Sequence, residues 1–157
     1  MRYQFYQEQH VDSDRNTVWS FFTQPSNLIK LSPPDLHFKH NTEHLDTHIY
    51  SGMELTHTLS PLLNIPISWT TRITEIVPEH CFVDRQIKGP FSYWEHRHEF
   101  FDVGGATLIK DYVSYQLPFG GLGRLMHRLI VRNKLGAVFA YRYHQIDKEF
   151  NPKKETV

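Results

Sequence analysis

The sequence predicts an α+β domain in which a curved antiparallel sheet of about six to seven strands wraps around one long C-terminal helix. Three observations support this prediction. The middle of the chain alternates apolar and polar residues with a period of two, as strands with one buried face do. The last part repeats apolar residues at intervals of three and four, as an amphipathic helix does. Two short helical segments separate the first strand from the rest.

The N-terminal region is predicted to contain one strand and two short helices. The strand spans Tyr3–Val11. Ser13 or Asp14 is expected to cap the first helix, because short polar side chains accept hydrogen bonds from the free amides of a first turn. The second helix is expected to begin at Pro25–Ser26 and to end at Pro33–Pro34. Proline suits the first turn of a helix and stops a helix that reaches it.

The central region is predicted to consist of strands joined by tight turns. Two stretches each have one apolar face, made of Met53, Leu55, His57 and Leu59 in the first and of Ile65, Ile67, Trp69, Thr71 and Ile73 in the second. Lys88–Pro90 and Val103–Gly105 are predicted hairpin turns, because glycine and proline favour turn dihedrals. From Leu122 to Phe150 the spacing becomes that of the C-terminal helix, which is expected to bend or weaken near Gly136.

Length and composition limit the function classes. The 157 residues fit a single domain over 1–150 with a tail over 151–157. With 17 basic and 17 acidic side chains, the balanced charge argues against a nucleic-acid partner. We find no signal peptide and no membrane-spanning run, and expect no cofactor. Cys81 is the one cysteine, which excludes an internal disulfide and favours the cytoplasm.

Two histidines alternate with aromatic residues in the stretch FSYWEHRHEF. One side of this strand carries Trp94, His96, His98 and Phe100, and the apolar side of the next strand carries Ile109, Asp111, Val113, Tyr115 and Leu117. If Gly104–Gly105 is a two-residue loop, the hairpin register places His98 opposite Asp111. A shift of two residues would place His96 there instead. The sequence leaves open whether this His–Asp couple is a structural ion pair or contacts a ligand.

Four motifs carry a family resemblance: LSPPDLHF, FVDRQIKGPFSYWEHRHEF, DYVSYQLPFGGLGRL and VFAYR. In this order and spacing they resemble a bacterial ligand-binding branch of the START-related SRPBCC superfamily, over about Tyr3 to Phe150. The resemblance implies the helix-grip fold and a cavity for an apolar small molecule between sheet and helix. Similar domains occur alone or fused to epimerase-like proteins, so the resemblance does not identify a ligand.

The first functional hypothesis is non-enzymatic binding of an apolar small molecule, such as a lipid, a polyketide-like or an aromatic compound. The expected ligand-contacting residues are Trp94, His96, His98, Asp111, Tyr115, His57, Trp69, Phe139 and Tyr143. His96, His98 and Asp111 would be the polar anchors. A second hypothesis is an enzyme of the cyclase or dehydrase type, with His98 and Asp111 as general acid or base and His96 assisting. A third is an interaction module for a partner enzyme, and a homodimer also stays open.

Metal binding is not expected. His57, the His96–His98 pair and Asp111 could together hold a metal, but nothing in the sequence brings His57 to the pair. Arg142 is expected to be a surface residue, with a clamp for a ligand carboxylate as the alternative. The sequence does not assign a face to Asp84 or Gln86.

Overall fold

The computed structural model describes residues 1–41, 47–61 and 64–151. In chain order, its elements are β1 (Tyr3–Val11), α1 (Arg15–Phe22), α2 (Asn27–Lys30), a 3-10 turn (Pro34–Leu36), β2 (Lys39–His40), β3 (Glu54–Leu59), β4 (Ile67–Val77), β5 (Cys81–Lys88), β6 (Tyr93–Val103), β7 (Ala106–Gln116), α3 (Gly120–Met126), a π-helical turn (His127–Val131) and α4 (Arg132–Phe150). The α+β prediction and the order of its elements are confirmed.

The seven strands form one antiparallel sheet in the order β1-β7-β6-β5-β4-β3-β2. Gly104–Gly105 is the two-residue loop of the β6–β7 hairpin, with positive φ at both glycines. This conformation costs glycine little because it has no Cβ. Register shifts interrupt the β4–β5 ladder in two places. Such bulges bend a sheet, and the curved sheet wraps the C-terminal helix.

The N-terminal elements follow the prediction, and the structure settles which residue caps α1. Asp14 accepts a hydrogen bond from the Thr17 amide at 3.0 Å. Ser13 has a different contact, because its carbonyl accepts from the Thr107 hydroxyl at 2.8 Å.

Ile65 departs from the predicted strand pattern, since it lies before β4 and is 58% exposed.

The C-terminal helix is irregular earlier than the sequence predicts. The π-helical turn lies at His127–Val131, whereas Gly136 lies within the regular helix α4. The expected bend at Gly136 is therefore wrong in position. A π turn inserts an extra residue and rotates the helix face on either side of it.

β1 fixes the long helix over the sheet through two glutamines. Gln9 donates to the carbonyl of Tyr143 at 2.9 Å, and Gln7 donates to the carbonyl of Phe139 at 3.4 Å. These bonds set which side of α4 faces the sheet.

No helix within the described residues is long and apolar enough to cross a membrane.

Candidate functional site

A cavity of about 380 Å³ lies between the inner face of the sheet and the C-terminal helix. Most of its lining is apolar and comes from every layer of the fold, including Phe22, Leu31, Leu55, Trp69, Phe82, Trp94, Ile130 and Phe139. Asp84, His96, His98 and Arg142 bring polar groups into the same lining. Volume and lining are both within the range of small-molecule sites in proteins.

Two histidines and two aspartates form a compact cluster on three neighbouring strands. His98 on β6 is opposite Asp111 on β7, as the hairpin register predicted. Asp84 on β5 is opposite His96 on the other side of β6. Because side chains two residues apart share a face, all four point to the inner side of the sheet.

Asp111 contacts both imidazoles from behind the cavity wall. Its Oδ1 lies 2.9 Å from His96 Nε2, which is a hydrogen bond. The same oxygen lies 2.8 Å from His98 Nδ1. The N–H direction of His98 is not aligned with that oxygen, so this second contact is electrostatic and leaves Nδ1 without a hydrogen bond.

Asp84 approaches the same two rings from the cavity side. Its Oδ2 lies 3.8 Å from His96 Nδ1 and 3.7 Å from His98 Nε2. The two imidazole rings are 3.8 Å apart between centroids. Each histidine therefore has one ring nitrogen near Asp111 and the other near Asp84.

The two imidazoles differ in protonation although they are neighbours. Burial, together with the positive charge of His98, lowers the pKa of His96 to about 4. Burial would also lower the pKa of His98, but Asp111 and Asp84 outweigh it and raise that pKa. Burial would raise the pKa of Asp111, whereas the two histidines hold it well below its usual range. The cluster thus favours a neutral His96, a charged His98 and two carboxylates.

Arg142 lines the cavity, so the prediction of a surface residue is wrong. Its Nε is buried and has no hydrogen-bond partner among the described residues. The guanidinium lies over the Phe139 ring at 5.2 Å. Burial lowers the pKa of Arg142, while the charges of Asp111 and Asp84 act in the opposite direction. The alternative suggested by the sequence, a clamp for a ligand carboxylate, stays a prediction.

Six of the nine residues expected to contact a ligand lie in the cavity lining: His57, Trp69, Trp94, His96, His98 and Phe139. Asp111 is buried behind the two histidines. The Tyr115 hydroxyl instead pairs with His127 Nε2 at 2.9 Å. Tyr143 is 43% exposed, so its expected place on the cavity wall is wrong.

His57 pairs with a histidine other than the His96–His98 pair. Its Nδ1 lies 3.0 Å from His40 Nδ1 on the neighbouring strand β2. Burial and the adjacent His40 lower the pKa of His57 to about 4. The four-ligand metal arrangement considered from the sequence, with His57 and Asp111 as ligands, is therefore not the one that the fold assembles.

Asp84 is the functional candidate that sequence reasoning missed. Phe82 and Asp84 alternate with Val83, and all three are little exposed, so the strand pattern alone gives no face. The β5–β6 connection is longer than a two-residue loop, and the bulges of β4 break the register on the other side. The Phe82 and His98 rings stack on each other. If the two had been paired because both are aromatic, Asp84, two residues after Phe82, would have been assigned to the same inner face.

The architecture is a helix-grip fold, as the sequence predicted, and solved structures of the same fold are similar to this chain. Among solved structures, a START superfamily protein from Mycobacterium smegmatis is similar with a TM-score of 0.70 at 11% identity. That match covers 96% of this chain and 99% of the other.

Two further structures share the fold. Norcoclaurine synthase from Thalictrum flavum, solved with dopamine and hydroxybenzaldehyde, has a TM-score of 0.67 at 18% identity and covers 99% of this chain and 90% of its own. A nucleoside-diphosphate sugar epimerase from Corynebacterium glutamicum has a TM-score of 0.66 at 23% identity; the match covers 92% of this chain but 28% of the epimerase. No protein-family model and no curated protein matches the sequence.

Proposed function

We propose that the protein binds a small molecule with an apolar body and a head group that accepts hydrogen bonds. The observation that carries this proposal is Arg142 in the lining of a largely apolar cavity, with an Nε that is buried and has no hydrogen-bond partner among the described residues. A buried donor without a partner costs free energy, which an acceptor on a ligand would recover. Trp69 also lines this cavity, and its Nε1 is a second buried donor with no partner in the part of the chain that the structure describes.

The charges of the cluster limit the head group. Asp84 and Asp111 are balanced by His98 and Arg142 when His96 is neutral. A carbonyl oxygen preserves this balance, and a carboxylate is accommodated if His96 takes up a proton. The ligand class is therefore an aromatic or aliphatic ketone or acid. We include a cytoplasmic location in the proposal, because Cys81 is a free thiol.

Three ligands with one ring system test the proposal: naphthoic acid, acetonaphthone and methylnaphthalene. Trp69 and Trp94 line the cavity, so quenching of tryptophan fluorescence reports binding. We expect the acid and the ketone to bind at least about ten-fold more tightly than the hydrocarbon, because a hydrogen bond to a charged group contributes about 1.5–3 kcal/mol. In Arg142→Met this preference should disappear.

Arg124→Met is the matched control, since Arg124 is exposed on α3. Equal affinity for all three compounds would contradict the proposal, as would an unchanged preference in Arg142→Met. Native mass spectrometry of the protein as purified provides an independent measurement, because a retained small molecule would appear as added mass.

A second candidate function, catalysis of the cyclase or dehydrase type, is favoured by the contrast between His96 and His98. The raised pKa of His98 suits the acid role toward a carbonyl oxygen, one of the two roles that the sequence left open. Neutral His96 or Asp84 would take the proton from the adjacent carbon. Exchange of the methyl protons of acetonaphthone with deuterium, followed by NMR, tests this step. If the wild-type protein exchanges these methyl protons no faster than His98→Gln does, the catalytic function is contradicted.

A further inference from the structure

Three possible metal-ligand atoms converge on the cavity side of the cluster. They are Asp84 Oδ2, His96 Nδ1 and His98 Nε2, which all lie within 4.8 Å of one another. The carboxylate oxygen is 3.8 Å from the first nitrogen and 3.7 Å from the second. Two imidazoles and one carboxylate are a donor set that suits first-row transition metals.

The spacing is close to that of a bound ion. Bonds of about 2.1 Å from one metal to two ligand atoms place those atoms about 3.0–3.6 Å apart, for angles between octahedral and trigonal. The gaps around Asp84 exceed this range by only a few tenths of an ångström. The two histidine ligand atoms lie within 4.8 Å of each other, so the rings must also rotate toward a common point when an ion binds.

Asp111 supplies the second, independent observation. Histidines that bind a metal through one ring nitrogen commonly donate the other N–H to a carboxylate, which fixes the ring orientation. Here one oxygen of Asp111 is hydrogen-bonded to His96 Nε2 at 2.9 Å and lies 2.8 Å from His98 Nδ1. These are the two ring nitrogens that do not face Asp84. The carboxylate thus fixes the His96 ring by a hydrogen bond and holds the His98 ring by an electrostatic contact, with the other nitrogen of each ring toward Asp84.

Charge also fits a divalent ion. A metal ion bound at His98 Nε2 displaces the proton from that nitrogen to solvent, so both imidazoles are then neutral and the two negative charges of Asp84 and Asp111 balance the ion. Arg142 adds a positive charge to the same cavity and opposes the ion. An anion bound between Arg142 and the metal would remove that opposition. Three protein ligands leave further coordination positions open, as catalytic metal sites require.

We infer that Asp84, His96 and His98 form an open site for a divalent first-row transition metal such as Zn²⁺ or Fe²⁺, oriented by Asp111. The open positions face the apolar cavity. This site rests on protein atoms alone and goes beyond the proposed ligand binding. The metal site and the proposed ligand binding can fail independently, because the site is tested with metal ions alone and the ligand binding is tested with metal-free protein.

Co²⁺ titration of the chelator-treated protein tests the site, with visible absorption as the readout. We expect one equivalent to bind, to give an absorption band, and to be displaced by Zn²⁺ but not by Mg²⁺, which prefers oxygen ligands. Asp84→Asn and His98→Gln should each weaken binding by more than about ten-fold, and Asp111→Asn by about ten- to a hundred-fold. His10→Gln and His144→Gln, at exposed histidines, are matched controls that should bind normally.

Full affinity in Asp84→Asn, or equal loss in His10→Gln, would overturn the inference, because the metal would then be bound elsewhere. If a cluster variant fails to fold, the wild-type protein still decides the question by nitrogen-15 NMR of the imidazoles. Zn²⁺ should shift the resonances of His96 and His98 before those of exposed histidines. Unshifted resonances at one equivalent of Zn²⁺ would equally overturn it.

Discussion

Acid should destabilise the protein through histidines that are buried in the neutral form, and His57 offers the cleanest case. Its folded-state pKa is about 4 against an ordinary value of 6.5. Between these values the unfolded chain takes up a proton that the folded chain does not. The stabilisation is therefore complete above about pH 6.5, falls as pH decreases toward 4, and amounts to about 3 kcal/mol over the whole range.

His57→Gln removes this proton uptake, so it should flatten the dependence of unfolding free energy on pH. Guanidinium denaturation between about pH 7 and pH 5 measures the difference between wild type and variant. From the two pKa values, we expect that difference to change by about 2 kcal/mol across this interval, in favour of the variant at low pH.

His10→Gln is the control, because His10 is exposed. The unfolding free energy of His10→Gln should change with pH in parallel with that of the wild type. A His57→Gln profile that is also parallel to the wild type would refute the reasoning. It would mean that the His57 imidazole is equally easy to protonate in the folded and unfolded chain.

Two further predictions concern the cluster and the helix. Asp111→Asn should lower the unfolding free energy by about 3 kcal/mol or more, because it leaves the buried charge of His98 without its nearest partner. A loss below about 1 kcal/mol in denaturant titrations would contradict this. Gly136→Ala should stabilise the protein by up to about 1 kcal/mol, since an added Cβ meets no atom within 4 Å. Gly123→Ala is its counterpart and should be strongly destabilising, because its Cβ would lie 2.1 Å from the Pro118 carbonyl oxygen. Similar thermal midpoints for the two alanine variants would contradict the helix geometry.

The fold was predictable because each element carries its own local signal. The two-residue loop at Gly104–Gly105 fixed the register of β6 and β7, and with it the contact between His98 and Asp111. That argument uses only the turn and the period of two. It needs no knowledge of distant contacts.

The rest of the site depends on features that a local pattern does not encode. Asp84 joins the cluster through a longer connection and beside a bulged ladder, where counting by twos loses the register. Arg142 was assigned to the surface because it is charged, although it lies three residues after Phe139 and four before Ile146, on the buried face of α4. The π turn changes the helix phase by roughly 100°, and Leu122, Leu125 and Leu129 are exposed although their spacing suggested a buried face.

The strand order has a consequence for how the chain folds during translation. β1 is synthesised first, yet its neighbour in the sheet is β7, and Tyr3 pairs with Tyr115. Contacts of such high sequence separation form late and slowly. The β6–β7 hairpin can close as soon as it leaves the ribosome, whereas β1 must wait with an unpaired edge. Because Gln7 and Gln9 on β1 also hold α4, closing the sheet and seating the helix become one final step.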